Sequence, residues 1–315
     1  MGAGHVTGLL AASLFLAGLS AAAITPYRAV VAVETLGLSN TAWAVMLGFN
    51  AVATALASVV LGHLSDRIRD RRLLVILAAM MGVLAYGAIF ALPGRLTYIL
   101  SFCLVLPFGG TLFSQSFAFS RAWYDRNAPE RAMMMTSVLR TVFSAAWVLV
   151  PPVAAWIASR FGVFQVFAFA ALGHLGCTLA FGLLLTRPDA LLPPAPRVAG
   201  GSFRRIGRQT WVRIAGILGL RTALLLNMTL LPLFLLNDAG GSYADIGHTA
   251  SAAALLEIPF MLAWGWLAGR WGKERVLVLN GALYAAYLVA MVFARTPAQV
   301  LWLQIPNAVA TAALV

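Results

Sequence analysis

Charged residues are scarce in this sequence. Aspartate, glutamate, lysine and arginine together make up 10% of the 315 residues, whereas hydrophobic residues make up 61%. Soluble domains contain about 25% charged and about 45–50% apolar residues. Water is therefore not the solvent for most of this surface, and the composition predicts a polytopic membrane protein.

Cysteine is nearly absent, and so are clusters of reactive side chains. Cys103 and Cys177 lie inside apolar segments, where cysteine behaves as a small hydrophobic residue, so no disulfide bridge is expected. The four histidines are scattered, at His5, His63, His174 and His248. We therefore predict no catalytic residue, no metal site and no cofactor, and an enzyme embedded in the membrane is disfavoured.

Basic residues cluster in alternate polar intervals. The net charge is +12, which in a soluble domain would suggest nucleic-acid binding. The intervening intervals hold single arginines, namely Arg28, Arg95, Arg160 and Arg295, whereas the rich ones are Arg67 to Arg72, Arg121 to Arg131, Arg187 to Arg213 and Arg270 to Arg275. Arginine and lysine favour cytoplasmic loops. The pattern predicts a multi-pass membrane protein with the N-terminus in the cytoplasm and no nucleic-acid partner.

Ten apolar segments are long enough to cross a membrane, which takes about 20 residues. The first is much longer than the core of a signal peptide and lacks a basic start, so we expect it to be retained. The segments are 6–33, 41–61, 73–92, 97–120, 132–158, 163–186, 212–236, 246–267, 276–294 and 298–315.

The longest polar interval is rich in proline, glycine and arginine, so we expect it to bury no core and to form a cytoplasmic linker. We place this linker at residues 187–210. It separates an N-terminal six-helix bundle, residues 1–186, from four helices in residues 211–315. Because six segments precede the linker and four follow it, we expect the C-terminal half to be incomplete.

Two similar basic connectors stand in the two halves. The first is GHLSDRIRDRR, from Gly62 to Arg72, and the second is GWLAGRWGKER, from Gly265 to Arg275. A motif repeated at equivalent places is what a duplicated transporter should show. The spacing resembles the loop between helices two and three of the major facilitator superfamily, although Arg69 and Gly269 depart from it. That resemblance implies two further helices after Val315 and a cytoplasmic latch between the halves, formed by Gly62, Asp66, Arg67, Arg71, Arg72, Gly265, Arg270 and Lys273.

Several fragments are similar to the bacterial sugar efflux transporter family. They include TSVLR (136–140), AWVLVPP (146–152), LEIPFMLAWGWLAGRWGKER (256–275) and QIPNAV (304–309). The resemblance implies export of small sugars or glycosides, in exchange for protons, across the inner (cytoplasmic) membrane of a bacterium. The alternatives are another small-molecule or multidrug exporter of the superfamily, disfavoured because Pro151-Pro152 lacks the glycines of the GPxxGG-like drug motif, and a non-transporting membrane protein with this fold.

Polar residues recur at helical spacing in three segments. Ser137, Arg140, Ser144 and Trp147 share one face of the fifth, and Asn50 and Gln115 lie in polar stripes of the second and fourth. Uncharged hydrogen-bonding groups beside aromatic rings suit a neutral polyhydroxylated ligand. Interhelical hydrogen bonding explains such stripes equally well. The substrate-binding prediction comprises Asn50, Gln115, Arg140, Ser144, Trp147, Glu257 and Asn307.

Three charged residues lie deep in their segments. Arg140, Arg221 and Glu257 fall about 12–17 Å from the segment start, near the midplane of a ~30 Å core. We predict that Glu257 carries protons, with Arg140 or Arg221 as its alternating partner. A static ion pair is the structural alternative, and His174 is the next candidate, although a structural role is favoured for it. The expected partners are a sugar, protons and lipid, and the expected state is a monomer.

Overall fold

The computed structural model describes residues 2–68, 70–192 and 207–312. Nine helical segments in this part of the chain are long and apolar enough to cross a membrane, which confirms the predicted all-α polytopic membrane fold. The principal helices are α1 (Gly2–Ile24), α2 (Asn40–Arg67), α3 (Arg72–Ala91), α4 (Leu112–Asn127), α5 (Pro129–Phe161), α6 (Phe164–Leu185), α7 (Arg208–Asn237), α8 (Tyr243–Trp271), α9 (Lys273–Val292), α10 (Pro297–Trp302) and α11 (Gln304–Thr311).

The helices form two compact units. Met1–Val150 and Ile157–Arg197 make up the first, and Pro151–Trp156 and Val198–Val315 make up the second. The predicted division into residues 1–186, 187–210 and 211–315 stays a prediction. Residues 193–206 of the predicted linker lie outside the described residues.

Close helix contacts organise the N-terminal unit, where α6 packs against both α1 and α3. Small residues allow these approaches: a Cβ atom at Gly173 would lie 2.8 Å from the Leu16 carbonyl oxygen. In lipid no hydrophobic force acts between helices, so close backbone packing must hold them together. These contacts place His174 of α6 in the interior of the unit.

The first and fourth spans are interrupted rather than uniformly α-helical. After α1 the chain passes through a 3₁₀ turn at Thr25–Tyr27 and a π-turn at Val31–Thr35. The fourth span begins with Arg95–Leu100, continues through a π-turn at Ser101–Val105 and a short helix at Leu106–Gly109, and then reaches α4. Pro26 and Pro107 lie at these interruptions. Proline has no N–H group to donate, so the regular α-helical hydrogen-bond pattern is broken there.

Two predicted segment boundaries are wrong. Helix α2 continues through Gly62 to Arg67, so the connector to α3 is only Ile68 to Arg71. The tenth apolar segment is divided at Leu303 into α10 and α11. Helix α2 continues past the apolar core of the membrane, where charged residues can be helical in water. Hydropathy marks only the apolar part and therefore ends α2 too early.

In the C-terminal unit, α11 packs against α8 and α9. A capping box starts α8: the Asp245 carboxylate accepts the backbone N–H of Ser242 at 2.8 Å. Tyr284 and Tyr287 of α9 are almost completely buried and contact Ala310 of α11. The short helix α11 is therefore an interior element of this unit.

Candidate functional site

Glu257, near the middle of α8, contacts α11. The hydroxyl group of Thr311 lies 2.5 Å from Oε1 of Glu257 and 2.9 Å from the backbone oxygen of Asn307. The structure thus brings two predicted site residues, Glu257 and Asn307, into one polar cluster. Thr311, which joins them, was not predicted.

A polar face of α11 extends this cluster. Gln304, Asn307 and Thr311 are spaced by three and four residues, so they share one side of the helix, and all three are buried. Asn307 donates from Nδ2 to Oε1 of Gln304 at 2.8 Å, and Gln304 donates from Nε2 to the Val300 carbonyl at 2.9 Å. The Oδ1 atom of Asn307 is buried without a hydrogen-bond partner among the described residues. It is an acceptor available to a ligand or water.

Tyr287 of α9 contacts both α7 and α11. Its hydroxyl donates to Oδ1 of Asn227 at 3.2 Å, and its ring packs in one buried cluster with Ala310. Trp264 of α8 donates from Nε1 to the Val309 carbonyl at 2.7 Å. Sequence reasoning missed Asn227, Tyr287 and Thr311. The three-and-four spacing of polar residues in 304–311 was the signal available for α11.

Arg140 lies among aromatic rings of the N-terminal unit. Its guanidinium carbon is 5.3 Å from the ring centre of Phe117, and Phe113 contacts both Phe117 and Phe143, at centroid distances of 5.6 and 4.2 Å. The side chain of Arg140 is exposed, and those of Gln115, Ser144 and Trp147 are partly buried. Their substrate role, and the pairing of Glu257 with Arg140 or Arg221, stay predictions.

Asn50 donates a hydrogen bond to a backbone carbonyl of the fourth span that has no helical donor of its own. In the π-turn Leu106 donates its N–H to Ser101, five residues back. Phe102 would next accept from residue 107, but Pro107 has no N–H. Nδ2 of Asn50 donates to the Phe102 oxygen at 2.6 Å. This contact supports the interhelical interpretation of the α2 stripe, with the carbonyl oxygen of the Asn50 side chain still able to accept a hydrogen bond.

His174 is enclosed by helices of the N-terminal unit. Its Nδ1 lies 2.7 Å from the Ser20 hydroxyl, and its ring meets that of Tyr86 edge-on with centroids 5.3 Å apart. A Cβ atom at Gly82 would lie 1.8 Å from the imidazole. The ring therefore occupies the space that glycine leaves on α3, which supports the structural role.

Arg72, the first residue of α3, contacts the beginning of the predicted linker. Arg72 is buried, pairs with Asp70 at 2.6 Å, and donates from Nη1 to the carbonyls of Leu184 and Arg187 at 2.7 and 3.0 Å. Burial alone would raise the pKa of Asp70, but the hydrogen bonds and charge of Arg72 outweigh it and hold that pKa below 3.8. Arg72 thus stabilises the C-terminal end of α6, as a cation does there.

The linker starts as part of the N-terminal core rather than as a solvated segment. Nε1 of Trp123 donates to the Asp189 carbonyl at 3.0 Å. Ala190 and Leu192 are buried in the same hydrophobic cluster as Trp123. The expectation that the whole interval buries no core is wrong for these residues.

The remaining latch candidates lie at helix ends. Gly62 and Arg67 belong to the last turns of α2, and the backbone of Asp66 lies between them. The side chains of Asp66 and Lys273 lie outside the described residues. Arg71 precedes α3. A Cβ atom at Gly265 would meet no neighbouring element within 4 Å, and the guanidinium carbon of Arg270 lies 4.0 Å from the ring centre of Trp266. The latch stays a prediction.

Comparison with known proteins gives both relatives and structural neighbours. The family model of the Major Facilitator Superfamily matches residues 10–314. A protein named as a candidate sugar efflux transporter in Deinococcus radiodurans is 34% identical over 82% of this chain and 67% of its own. Sugar efflux transporter B of Salmonella typhimurium and sugar efflux transporter C of Escherichia coli are 32% and 31% identical, each over 94% of this chain and 75% of their own.

Solved structures share the fold at low sequence identity. A peptide transporter of the POT family, crystallised with sulfate, is similar with a TM-score of 0.76 at 12% identity, over 98% of this chain and 80% of its own. A bacterial homologue of the human lysosomal transporter Spinster has a TM-score of 0.71 at 14% identity, over 98% and 73%. At such identities the likeness concerns the fold alone.

Proposed function

The chain belongs to the Major Facilitator Superfamily, and from that premise we propose that it exports small sugars or glycosides in exchange for protons. It is a multi-pass membrane transporter and not an enzyme. Transport proceeds by alternating access across the inner membrane of a bacterium, with the N-terminus in the cytoplasm. The transporter works as a monomer surrounded by lipid.

The observation that best supports proton coupling is the carboxylate of Glu257 in the middle of a membrane-crossing helix. Inserting a charged residue at that depth costs about 2.5–3.5 kcal/mol on the insertion scale. Ionisable groups kept at such depth mark ion or substrate pathways. Its hydrogen bond with Thr311 of a neighbouring helix is in keeping with this role.

The polar groups that accompany Glu257 suit a sugar. Gln304 and Asn307 present uncharged amides, and Oδ1 of Asn307 has no described partner. Sugar hydroxyl groups both donate and accept hydrogen bonds, so they match amides well. The N-terminal unit by itself offers a donor fork at Arg140 and flat apolar faces at the rings of Phe113 and Phe117. The names of the relatives support the same substrate class.

Transport in proteoliposomes tests the proposal. The full chain is reconstituted and assayed for counterflow of radiolabelled lactose and for accumulation driven by an imposed proton gradient. Glu257→Gln is expected to preserve exchange, which needs only binding and rocking of the halves, while abolishing proton-driven accumulation. Asp125→Asn, which removes an exposed acid paired with Arg121, is the matched control.

Three outcomes would contradict parts of the proposal. Proton-driven accumulation by Glu257→Gln would place the carrier elsewhere. Export of lipophilic cations such as ethidium without sugar counterflow would favour the multidrug alternative. Absence of both activities in a correctly inserted wild-type protein would favour the non-transporting alternative.

A further inference from the structure

Thr311 has one hydroxyl hydrogen and two acceptors within reach. Its Oγ1 lies 2.5 Å from the Glu257 carboxylate and 2.9 Å from the Asn307 carbonyl oxygen. A hydroxyl group can donate to only one acceptor at a time. We propose that Thr311 is a positioning residue whose hydroxyl reports the protonation state of Glu257 to the backbone of the sugar-binding residue Asn307. This inference rests on the proposed function of Glu257.

Two hydrogen-bond arrangements follow from the protonation state. When Glu257 is ionised, its oxygens can only accept, so the Thr311 hydroxyl donates to the carboxylate and the Asn307 carbonyl loses that bond. When Glu257 is protonated, its own O–H donates to Oγ1 of Thr311, and the Thr311 hydrogen turns to Asn307. Thr311 never loses its proton. The hydrogen only rotates about the Cβ–Oγ1 bond.

The second arrangement reaches the candidate ligand site through α11. Asn307 holds Gln304 through its Nδ2 atom, and its Oδ1 atom is the buried acceptor without a described partner. A change at the Asn307 carbonyl therefore acts on the residue whose side chain we assign to sugar binding. Chains of hydrogen bonds polarise one another in a medium of low dielectric constant.

Other ionisable groups lie on the helices packed against α8. Several have partners of their own: Arg213 pairs with Glu274 at 2.8 Å, Arg270 stacks on Trp266, and Tyr287 bonds Asn227. Neither α10 nor α11 contains an ionisable side chain. Besides Glu257 itself, the ionisable residues on α7, α8 and α9 whose side chains are described are Arg208, Arg213, Arg221, Tyr243, Asp245, His248, Arg270, Glu274, Arg275, Tyr284 and Tyr287.

Infrared spectroscopy of the reconstituted full chain tests the inference, because a protonated carboxyl group has its own C=O band. The Glu257 band is first identified by its loss in Glu257→Gln. Its pH midpoint is then compared between wild type, Thr311→Val and Thr311→Ser. A hydrogen bond to an ionised acceptor is stronger than one to a neutral group. Removing the hydroxyl is therefore expected to raise the midpoint by about one pH unit, a tenfold gain in proton affinity.

Controls separate this role from ordinary helix bonding. Thr178 has the same kind of bond, from its hydroxyl to the His174 carbonyl at 3.1 Å, in the N-terminal unit, and Thr178→Val should leave the midpoint unchanged. Thr311→Ser keeps a hydroxyl and should stay within a few tenths of a unit of wild type. Thr311→Ala also removes the hydroxyl but has a smaller side chain, and it should reproduce the shift. It serves as the test variant if Thr311→Val does not fold.

Binding of lactose, followed by tryptophan fluorescence, supplies the second measurement. Wild type should change its lactose affinity across the midpoint, and Thr311→Val should lose most of that change. An unshifted midpoint in Thr311→Val and Thr311→Ala would overturn the inference while leaving Glu257 as the carrier. If no titrating carboxyl band is lost in Glu257→Gln, the proposed role of Glu257 as proton carrier would be wrong instead.

Discussion

Nη1 of Arg72, at the start of α3, donates to the carbonyl oxygen of Leu184, 112 residues further along the chain, at 2.7 Å. The same guanidinium also binds Asp70 and the Arg187 carbonyl. A residue assigned from the sequence to a latch between halves therefore has its described partners within the N-terminal unit. It fixes the end of α6, from which the predicted linker departs.

Replacing Arg72 should destabilise the protein. Arg72→Met leaves the Leu184 and Arg187 carbonyls without this donor and the part-buried Asp70 without its cation, and leaving buried acceptors unsatisfied costs about 1–3 kcal/mol. Thermal unfolding in detergent should show a clearly lower midpoint. Arg121→Met is the control, because the Arg121–Asp125 pair is exposed and such pairs contribute about 0–1 kcal/mol. Equal effects of the two substitutions would refute a structural role for Arg72.

Asp70 should make stability depend on pH at the acid end. Its pKa is lowered below 3.8 in the folded protein, so its stabilising contribution is complete above the unfolded value and is lost as the pH falls through the folded one. Asp70→Asn should therefore lower the unfolding temperature at pH 7, by an amount corresponding to about 1 kcal/mol. At pH 3 the gap between wild type and variant should shrink. A gap that is constant from pH 7 to pH 3 would contradict this assignment.

Gly82 should be intolerant of any side chain. A methyl group there would lie 1.8 Å from the His174 ring, and overpacking typically costs about 1–3 kcal/mol or more. Gly82→Ala is expected to reduce the yield of folded protein in size-exclusion chromatography. Gly87→Ala on the same helix is the control, because a Cβ atom there meets nothing within 4 Å.

The double variant Gly82→Ala/His174→Ala distinguishes steric conflict from a requirement for glycine itself. If the imidazole is the obstacle, removing it should restore part of the yield. Failure of the double variant to exceed Gly82→Ala alone would show that His174 is not the source of the conflict.

Arg140 should not be replaceable by lysine. Its flat guanidinium lies over Phe117, and an ammonium group cannot reproduce the stacking or the five-donor fork. Arg140→Lys is expected to reduce sugar counterflow about tenfold with normal insertion, a loss that corresponds to about 1.4 kcal/mol. Arg126→Lys near the end of α4 is the control. Normal counterflow by Arg140→Leu would exclude both the substrate role and the ion-pair role.

The sequence predicts the parts of this fold that depend on apolar length. Hydropathy identifies the membrane segments, and Glu257 stands out because an acid is costly at that depth. The partner of Glu257 could not be read in the same way, because threonine in a membrane helix most often bonds its own backbone, as Thr178 does. Only the register of α11 against α8 brings Thr311 to the carboxylate. That register depends on tertiary packing of small and aromatic residues.

The burial of the first residues of the linker could not be predicted from the sequence either. Ala190 and Leu192 stand among prolines, a composition that indicates exposed linker. Their burial follows from Trp123 and Arg72, which bind backbone carbonyls of 184–189 rather than side chains. Backbone acceptors exist at every position, so no residue pattern identifies the ones that are used.

The π-turn at Ser101–Val105 allows the fourth span to vary in length. A π-turn closes with a bond from residue i+5 instead of i+4, so it stores one residue more than the α-helical path between the same ends. Deleting one residue there can restore α-helical pitch and leave Gln115 facing the same neighbours. The same deletion within the uninterrupted α3 would rotate everything beyond it by about 100°. Homologous chains that differ by a single residue at this point can therefore be superposed without turning the polar side of the span toward lipid.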